Sequence, residues 1–232
     1  PSPPQGVRVV RLRQRAVNGL LVTDLWVTLW PTLVGLSAGM ILGSAIGFLL
    51  IYNRRVAQLV RIYVLLFGSI PVFAIAPMMT IWFGIGAPMK IAMAFFSTVF
   101  VALAHAYGAA DRVDTRFRDQ ARVLRATKWA EFAKVVFPTA LDGILMSFRL
   151  NANLALLGVF IGEFIASEAG LGHRMLKAGG LYDVPLVWAA ALYMLLIIVV
   201  LNIAAGAIAS NRYSVVQALT VPRSIRAAER KL

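Results

Sequence analysis

Four long stretches of this chain carry no Asp, Glu, Lys or Arg: between Asp24 and Arg54, Arg61 and Lys90, Lys90 and Asp111, and Asp183 and Arg212. A helix needs about 20 apolar residues to cross a hydrocarbon core of about 30 Å, so each stretch qualifies as a membrane span. A fifth, about 140–165, qualifies if the bundle can house Asp142, Arg149 and Glu163. Alternating barrel strands of about 10 residues would not give such long unbroken runs. The pattern therefore predicts an all-α, polytopic helical bundle with spans at about 29–52, 62–83, 91–109, 140–165 and 184–209. Charged residues make up only 14% of the chain, too few to solvate a soluble surface.

The net charge of +13 raises the question of nucleic acid. Taken alternately, one set of loops holds Arg54, Arg55 and Arg61, then Arg112 to Lys134, then the tail with Arg212, Arg223, Arg226, Arg230 and Lys231; the other holds Lys90, Arg174 and Lys177. A bias of this kind marks the cytoplasmic side, which also places the C-terminus there. No aromatic residues interleave the basic loops as a nucleic-acid platform requires, so nucleic acid is not an expected partner. Arg8, Arg11, Arg13 and Arg15 fall on the outer side by this count, and the chain opens Pro1-Ser2-Pro3-Pro4. Residues 1–28 are expected as an interfacial segment preceding a single permease domain over 29–232, with a further membrane helix upstream. The chain has no cysteine, which excludes disulfides and thiolate metal sites.

The first span carries Gly35, Gly39, Gly43 and Gly47 at strict four-residue spacing. Residues four apart share a helix face, so these form a bare stripe suited to close helix packing, within the bundle or against a second copy. Pro71 and Pro77 predict a kink or break in the second span. From Asp111 to Pro138 the chain is too polar to span, yet Phe117, Ala121 and Leu124, then Trp129, Phe132 and Val136, keep helical spacing. Asp114 and Thr127 are the expected caps of two short amphipathic helices joined near Arg125-Ala126. Such a hairpin between two spans is a lid on the membrane or a docking element.

In the fifth span Asp142, Arg149, Asn153 and Glu163 lie within about 40° of one line at 100° per residue. Ser147, Asn151, Gly158 and Gly162 lie near the opposite face. A membrane-buried charge costs about 2.5–3.5 kcal/mol on insertion scales, so the polar line faces either a translocation path or a neighbouring helix. No phosphate-cradling loop, metal cluster, nucleophile elbow or catalytic carboxylate pair is present. No catalytic residue, metal or cofactor is expected; His105 and His173 stand apart, without a ligand cluster.

The stretch Asp119-Gln120-Ala121, then Arg125, then Phe137-Pro138-Thr139-Ala140-Leu141 resembles the EAA loop of bacterial ABC-importer permeases. The flanks resemble the nitrate/sulfonate/taurine subfamily: Pro71 to Pro77, Trp82-Phe83-Gly84-Ile85-Gly86 with Lys90, the glycine-spaced span, Glu163, and Gly170-Leu171-Gly172. The opening prolines resemble the segment after that subfamily's first membrane helix. Two positions depart from the pattern: Asp119 stands where the family has Glu, and Arg125 where it has a turn glycine.

The resemblance implies a type I importer permease in the bacterial cytoplasmic membrane, surrounded by lipid and expected as a homodimer. Each permease would seat its loop, about 111–138, on one of two cytoplasmic ATP-binding subunits, and an extracytoplasmic substrate-binding protein would deliver the solute. Phe117, Ala121, Leu124 and Trp129 would supply the apolar contact to the ATPase, with Asp119, Gln120 and Arg125 fixing register. The expected cargo is a small organic or inorganic anion, such as a sulfonate, taurine or nitrate, or a vitamin precursor. The competing reading is an ion-coupled secondary transporter or channel, whose usual inverted repeats are not evident.

Overall fold

The computed structural model describes the backbone of residues 5–220 and most side chains of residues 19–207. All regular structure among them is helical: α1 (Gln5–Leu49), α2 (Arg54–Gly68), α3 (Val72–Phe83), α4 (Ala87–Asp111), α5 (Thr115–Val123), α6 (Lys128–Glu131), α7 (Phe137–Ile165), α8 (Leu171–Gly180) and α9 (Val184–Thr220). Stretches of four helices are long and apolar enough to cross a membrane: Gly19–Tyr52, Ala87–Asp111, Gly143–Ile165 and Val184–Ala207. The pair Arg55–Gly68 and Val72–Phe83, bent by 89° at its break, passes the same test when the two helices are counted together.

The helix of the first span extends upstream of the expected start at about 29. Residues 19–28 continue it, and Leu21, Asp24 and Thr28 are buried against the bundle. The arginines at 8, 11, 13 and 15 lie on the helical backbone of α1, and their side chains fall outside the described residues. The second span is broken next to Pro71, one of the two prolines that predict a kink or break. Pro71 has φ −59° and ψ 124° and caps α3, so the break falls at Ser69-Ile70 before it. Pro77 sits inside α3 without ending it.

α1, α4 and α7 form the centre, with α9 and α8 packed on α7 and α3 on α4. The glycine stripe of α1 is spent inside the protomer, on α4. A Cβ on Gly47 would stand 2.6 Å from the Leu103 carbonyl oxygen and 2.9 Å from Ala106 Cβ, and one on Gly39 would overlap the Thr98 hydroxyl. Gly158 and Gly162 of α7 make the matching approach from the other side of α4, onto Met93 and Met89. In lipid no hydrophobic force draws helices together, so small residues that bring backbones into contact carry the packing.

Candidate functional site

The polar hairpin between α4 and α7 folds as two short helices. Asp114 Oδ1 accepts the backbone N–H of Arg116 at 2.9 Å, which starts α5. Thr127 Oγ1 accepts the N–H of Ala130 at 3.2 Å, which starts α6. Between them Arg125 takes φ +52°, a left-handed conformation that closes the turn. Arg118 reaches back and donates to the Ala110 carbonyl at 2.5 Å, fastening α5 to the end of α4.

This hairpin shows solvent its apolar side chains. Leu124 is 81% and Trp129 74% exposed, and Phe117 is more than half exposed. Asp119, Gln120 and Arg125 are exposed beside them, whereas the side chain of Ala121 lies outside the described residues. Arg116, Asp119, Gln120, Val123 and Leu124 border a shallow cavity of about 570 Å³. Val123 belongs to this surface and was not singled out in the sequence, although its place beside Leu124 was a usable signal.

α6 does not end the hairpin. The chain passes through a π-helical turn, Phe132–Val136, straight into α7, giving one rod from 128 to 165. Such turns insert extra width into a helix and occur often at functional sites. Phe132 lies at their start and gathers the rings of Phe48 (5.3 Å), Trp129 (5.7 Å), Phe137 (5.8 Å) and Tyr52 (6.5 Å). Tyr52 also donates its hydroxyl to the Lys128 carbonyl at 3.3 Å. The end of span 1 is therefore joined to the helix that leaves the hairpin.

The polar line of α7 divides. Arg149 and Asn153 are exposed, and Asn202 of α9 donates to Asn153 Oδ1 at 3.2 Å. The Arg149 guanidinium covers Gly206, where a Cβ would meet its Nη2 at 2.7 Å. Elsewhere on α7, His105 and Arg112 of the α4 side and Thr139 and Ser147 of α7 line a separate cleft of about 680 Å³. Polar side chains in otherwise apolar spans were the signal for His105 and Asn202. Asp142 lies on the same helix, with its side chain outside the described residues.

Glu163 is not brought to that face; it is fully buried. Ten residues at about 100° each leave it about 80° short of Asn153 around the helix, which turns it onto the packed side. Its carboxylate accepts from Lys90 Nζ (2.9 Å), the Thr28 hydroxyl (2.9 Å) and the Gly172 N–H (2.8 Å). Lys90 also donates to the Ala169 carbonyl at 2.6 Å. Beside it Asp24 accepts the Gly170 N–H at 3.1 Å and pairs with Arg174 Nη2 at 2.6 Å. α1, α4, α7 and α8 thus meet in one hydrogen-bonded clamp. Gly170, at φ +121°, allows it, since a Cβ there would strike the Glu163 carboxylate. Lys90 was legible as the lone cation between two charge-free runs; Asp24 and Thr28 were not.

Next to the clamp, burial and then the cations Lys177 and Arg174 push the His173 imidazole below its usual 6.5, with Asp24 opposing. Its Nε2 is enclosed with no hydrogen-bond partner among the described residues. Among the described residues no three His, Asp or Glu side chains converge as a metal site would require.

Residues 35–212 match the family described as "Binding-protein-dependent transport system inner membrane component". A probable ABC transporter permease protein of Brucella melitensis biotype 1 is 32% identical over 77% of this chain and 74% of its own length. The formylaminopyrimidine transport permease protein ThiX of Halalkalibacterium halodurans is 29% identical over 87% of this chain and 80% of its own. The fold is that of the inward-facing MetNI methionine ABC transporter, at a TM-score of 0.75 and 22% identity over 83% of this chain and 95% of the other. Four to five membrane-length spans, a helical hairpin between α4 and α7, and this match over most of the length agree: the chain belongs to the family of binding-protein-dependent inner-membrane components, the permease subunits of ABC importers.

Proposed function

We infer that this chain, like other permeases of its family, works with a separate ATP-binding subunit and a substrate-binding protein. We propose that the hairpin 115–136 is the part of this chain that seats on the ATP-binding subunit. One observation carries the reading: Phe117, Val123, Leu124 and Trp129 lie outside the spans and expose apolar surface that no described residue covers. A cluster of that kind rimmed by charge marks a protein contact. Phe117, Ala121, Leu124 and Trp129 make the apolar seat; Asp119, Gln120 and Arg125 fix its register. Two copies of the permease, each holding one ATP-binding subunit, form the transporter, with the C-terminus on the cytoplasmic side.

The solute passes along the exposed face of α7 between α4 and α9. Arg149 and Asn153 line it, and Glu163 serves the path indirectly by holding the outer clamp together. The cations Arg149 and, in the separate cleft, Arg112 support a small anion, such as a sulfonate, taurine or nitrate; the relative named for formylaminopyrimidine keeps a vitamin precursor in view.

Co-expression with the cognate ATP-binding subunit tests the reading. The expected particle holds two permeases and two ATPases. Charge reversal at Asp119 or Arg125 should abolish transport-linked ATP hydrolysis while leaving membrane insertion intact. Solute uptake without any bound ATPase would instead identify a secondary transporter.

A further inference from the structure

Where α4 ends beside the hairpin, the cleft of about 680 Å³ opens between α4 and α7. His105 and Arg112 line it from the α4 side, seven residues and so about 10 Å apart along the axis, and Thr139 lines it from α7. All three side chains are exposed. The His105 Nδ1 lies 2.8 Å from the Val101 carbonyl oxygen, which can only accept. The proton of the neutral ring therefore sits on Nδ1, and Nε2 is left as a bare acceptor. Thr139 donates its hydroxyl proton to the Val135 carbonyl at 2.8 Å, so its oxygen also can only accept. Ser147, at the buried back, gives its proton to the Ile144 carbonyl in the same way. The neutral polar side chains of the cleft are thus acceptors, and Arg112 is the one donor and the one cation in the lining.

Between His105 and Arg112 the floor is Gly108. A Cβ there would meet nothing within 4 Å, so packing among the described residues does not call for a glycine. Yet glycine inside a helix costs about 1 kcal/mol against alanine. Gly143, on the α7 wall, differs: its Cβ would press on Ala109 at 2.7 Å.

We propose that this cleft selects the solute, and that the solute carries a hydrogen-bond donor, an ammonium or ring N–H, as well as an anionic group. The donor goes to His105 Nε2 and the anion to Arg112, over the bare floor of Gly108. An oxyanion such as nitrate has no proton to offer, and once it displaces water it leaves the His105 and Thr139 acceptors unpaired. Two hydrogen bonds of about 3 Å within that 10 Å leave about 4 Å for the body between the two groups, so the solute is small. Ionisable side chains among apolar spans face a cavity or a pathway rather than lipid, which suits a solute and not an acyl chain. The inference rests on the proposed passage of a solute along α7 and narrows its class from any small anion to a donor-bearing one.

The chain has no cysteine, so Gly108→Cys places a single permease thiol on the floor of the cleft. Its alkylation by N-ethylmaleimide, followed on the permease band of the assembled transporter in nanodiscs, reads occupancy. Taurine and ethanesulfonate share a sulfonate and differ in the ammonium. Taurine should protect the thiol at a concentration about fivefold lower than ethanesulfonate, the worth of one hydrogen bond. In the same background His105→Phe should erase that preference and leave protection by ethanesulfonate as it was. His105→Gln, which keeps an acceptor, should retain part of the preference, and Arg112→Gln should weaken both sulfonates alike. Equal protection by the two sulfonates, or none by either, would overturn the proposal. So would a preference for taurine that survives His105→Phe. Cross-linking of two permeases through the new thiol, without protection by either sulfonate, would make the cleft a contact between copies and overturn it too. Failure of the passage along α7 shows in a different readout: Arg149→Gln and Asn153→Ala would leave taurine uptake unchanged, whatever happens at the thiol.

Discussion

Arg125 holds φ at +52° in the turn between α5 and α6. A left-handed conformation costs an ordinary L-residue about 1–2 kcal/mol and glycine almost nothing. Arg125→Gly should therefore tighten the hairpin by up to about 1 kcal/mol, after glycine's greater freedom in the unfolded chain is deducted. Slower limited proteolysis across 115–136 would register the gain; faster cleavage would mean that the guanidinium makes contacts worth more than the strain. The turn was legible in the sequence, since the family's glycine marks the position. That an arginine keeps the same conformation was not, because backbone angles follow from closing the hairpin and not from the residue's own preference.

A second residue-scale expectation concerns Lys90 and Glu163, both buried and 2.9 Å apart. Removing one partner of a buried pair strands a charge and costs about 3–5 kcal/mol. Lys90→Met should lower the detergent-solubilised melting temperature sharply, and Lys90→Met with Glu163→Gln should recover part of the loss. The neutral amide still offers Thr28 and Gly172 an acceptor. A double variant no more stable than the single one would show that the hydrogen bonds, not the charge, carry the clamp.

Among the elements, α8 depends most on that clamp, being tied to the bundle through Gly170, Gly172 and Arg174. His173 adds a pH dependence. Its pKa is lowered in the folded protein, so the folded form prefers the neutral ring. Stability from this group is complete above the unfolded value of 6.5 and is lost as pH falls from there towards the depressed value. Hydrogen exchange of residues 171–180, corrected for its intrinsic rate, should quicken between pH 7 and pH 5, and His173→Gln should flatten that response. The elements differ in how far they could be read beforehand. The charge-free runs located the spans and the polar hairpin, because burying ionised groups in hydrocarbon is costly at any position. The helix of span 1 runs on past Asp24, which looks like a boundary until Arg174 is found beside it. The break in the second span falls at one of the two prolines that foretell it: proline punctuates a helix differently as a cap, at 71, than inside one, at 77.

At the scale of the molecule, one rod, 128–165, reaches from the hairpin to the clamp at the opposite membrane face. The π-helical turn lies near its lower end, between the proposed ATPase seat and the span. Its consequence is a matter of phase. A residue in an α-helix advances the side chains by about 100°, and a π-helical turn absorbs one extra residue in nearly the same rotation, so a further residue resets the bearing of α6 against that of α7. Inserting one alanine after Ala133 should therefore swing the two surfaces past each other by about that angle. The long span, locked onto α4 by its glycines, should keep its bearing, and the short hairpin should be the part that moves. An insertion variant that melts like the wild type, holds its ATPase more weakly and transports poorly would be the expected result; unchanged transport would mean that the seat tolerates rotation. By the same arithmetic, the gain of one residue between Thr127 and Pro138 can re-aim the seat while leaving the spans in place.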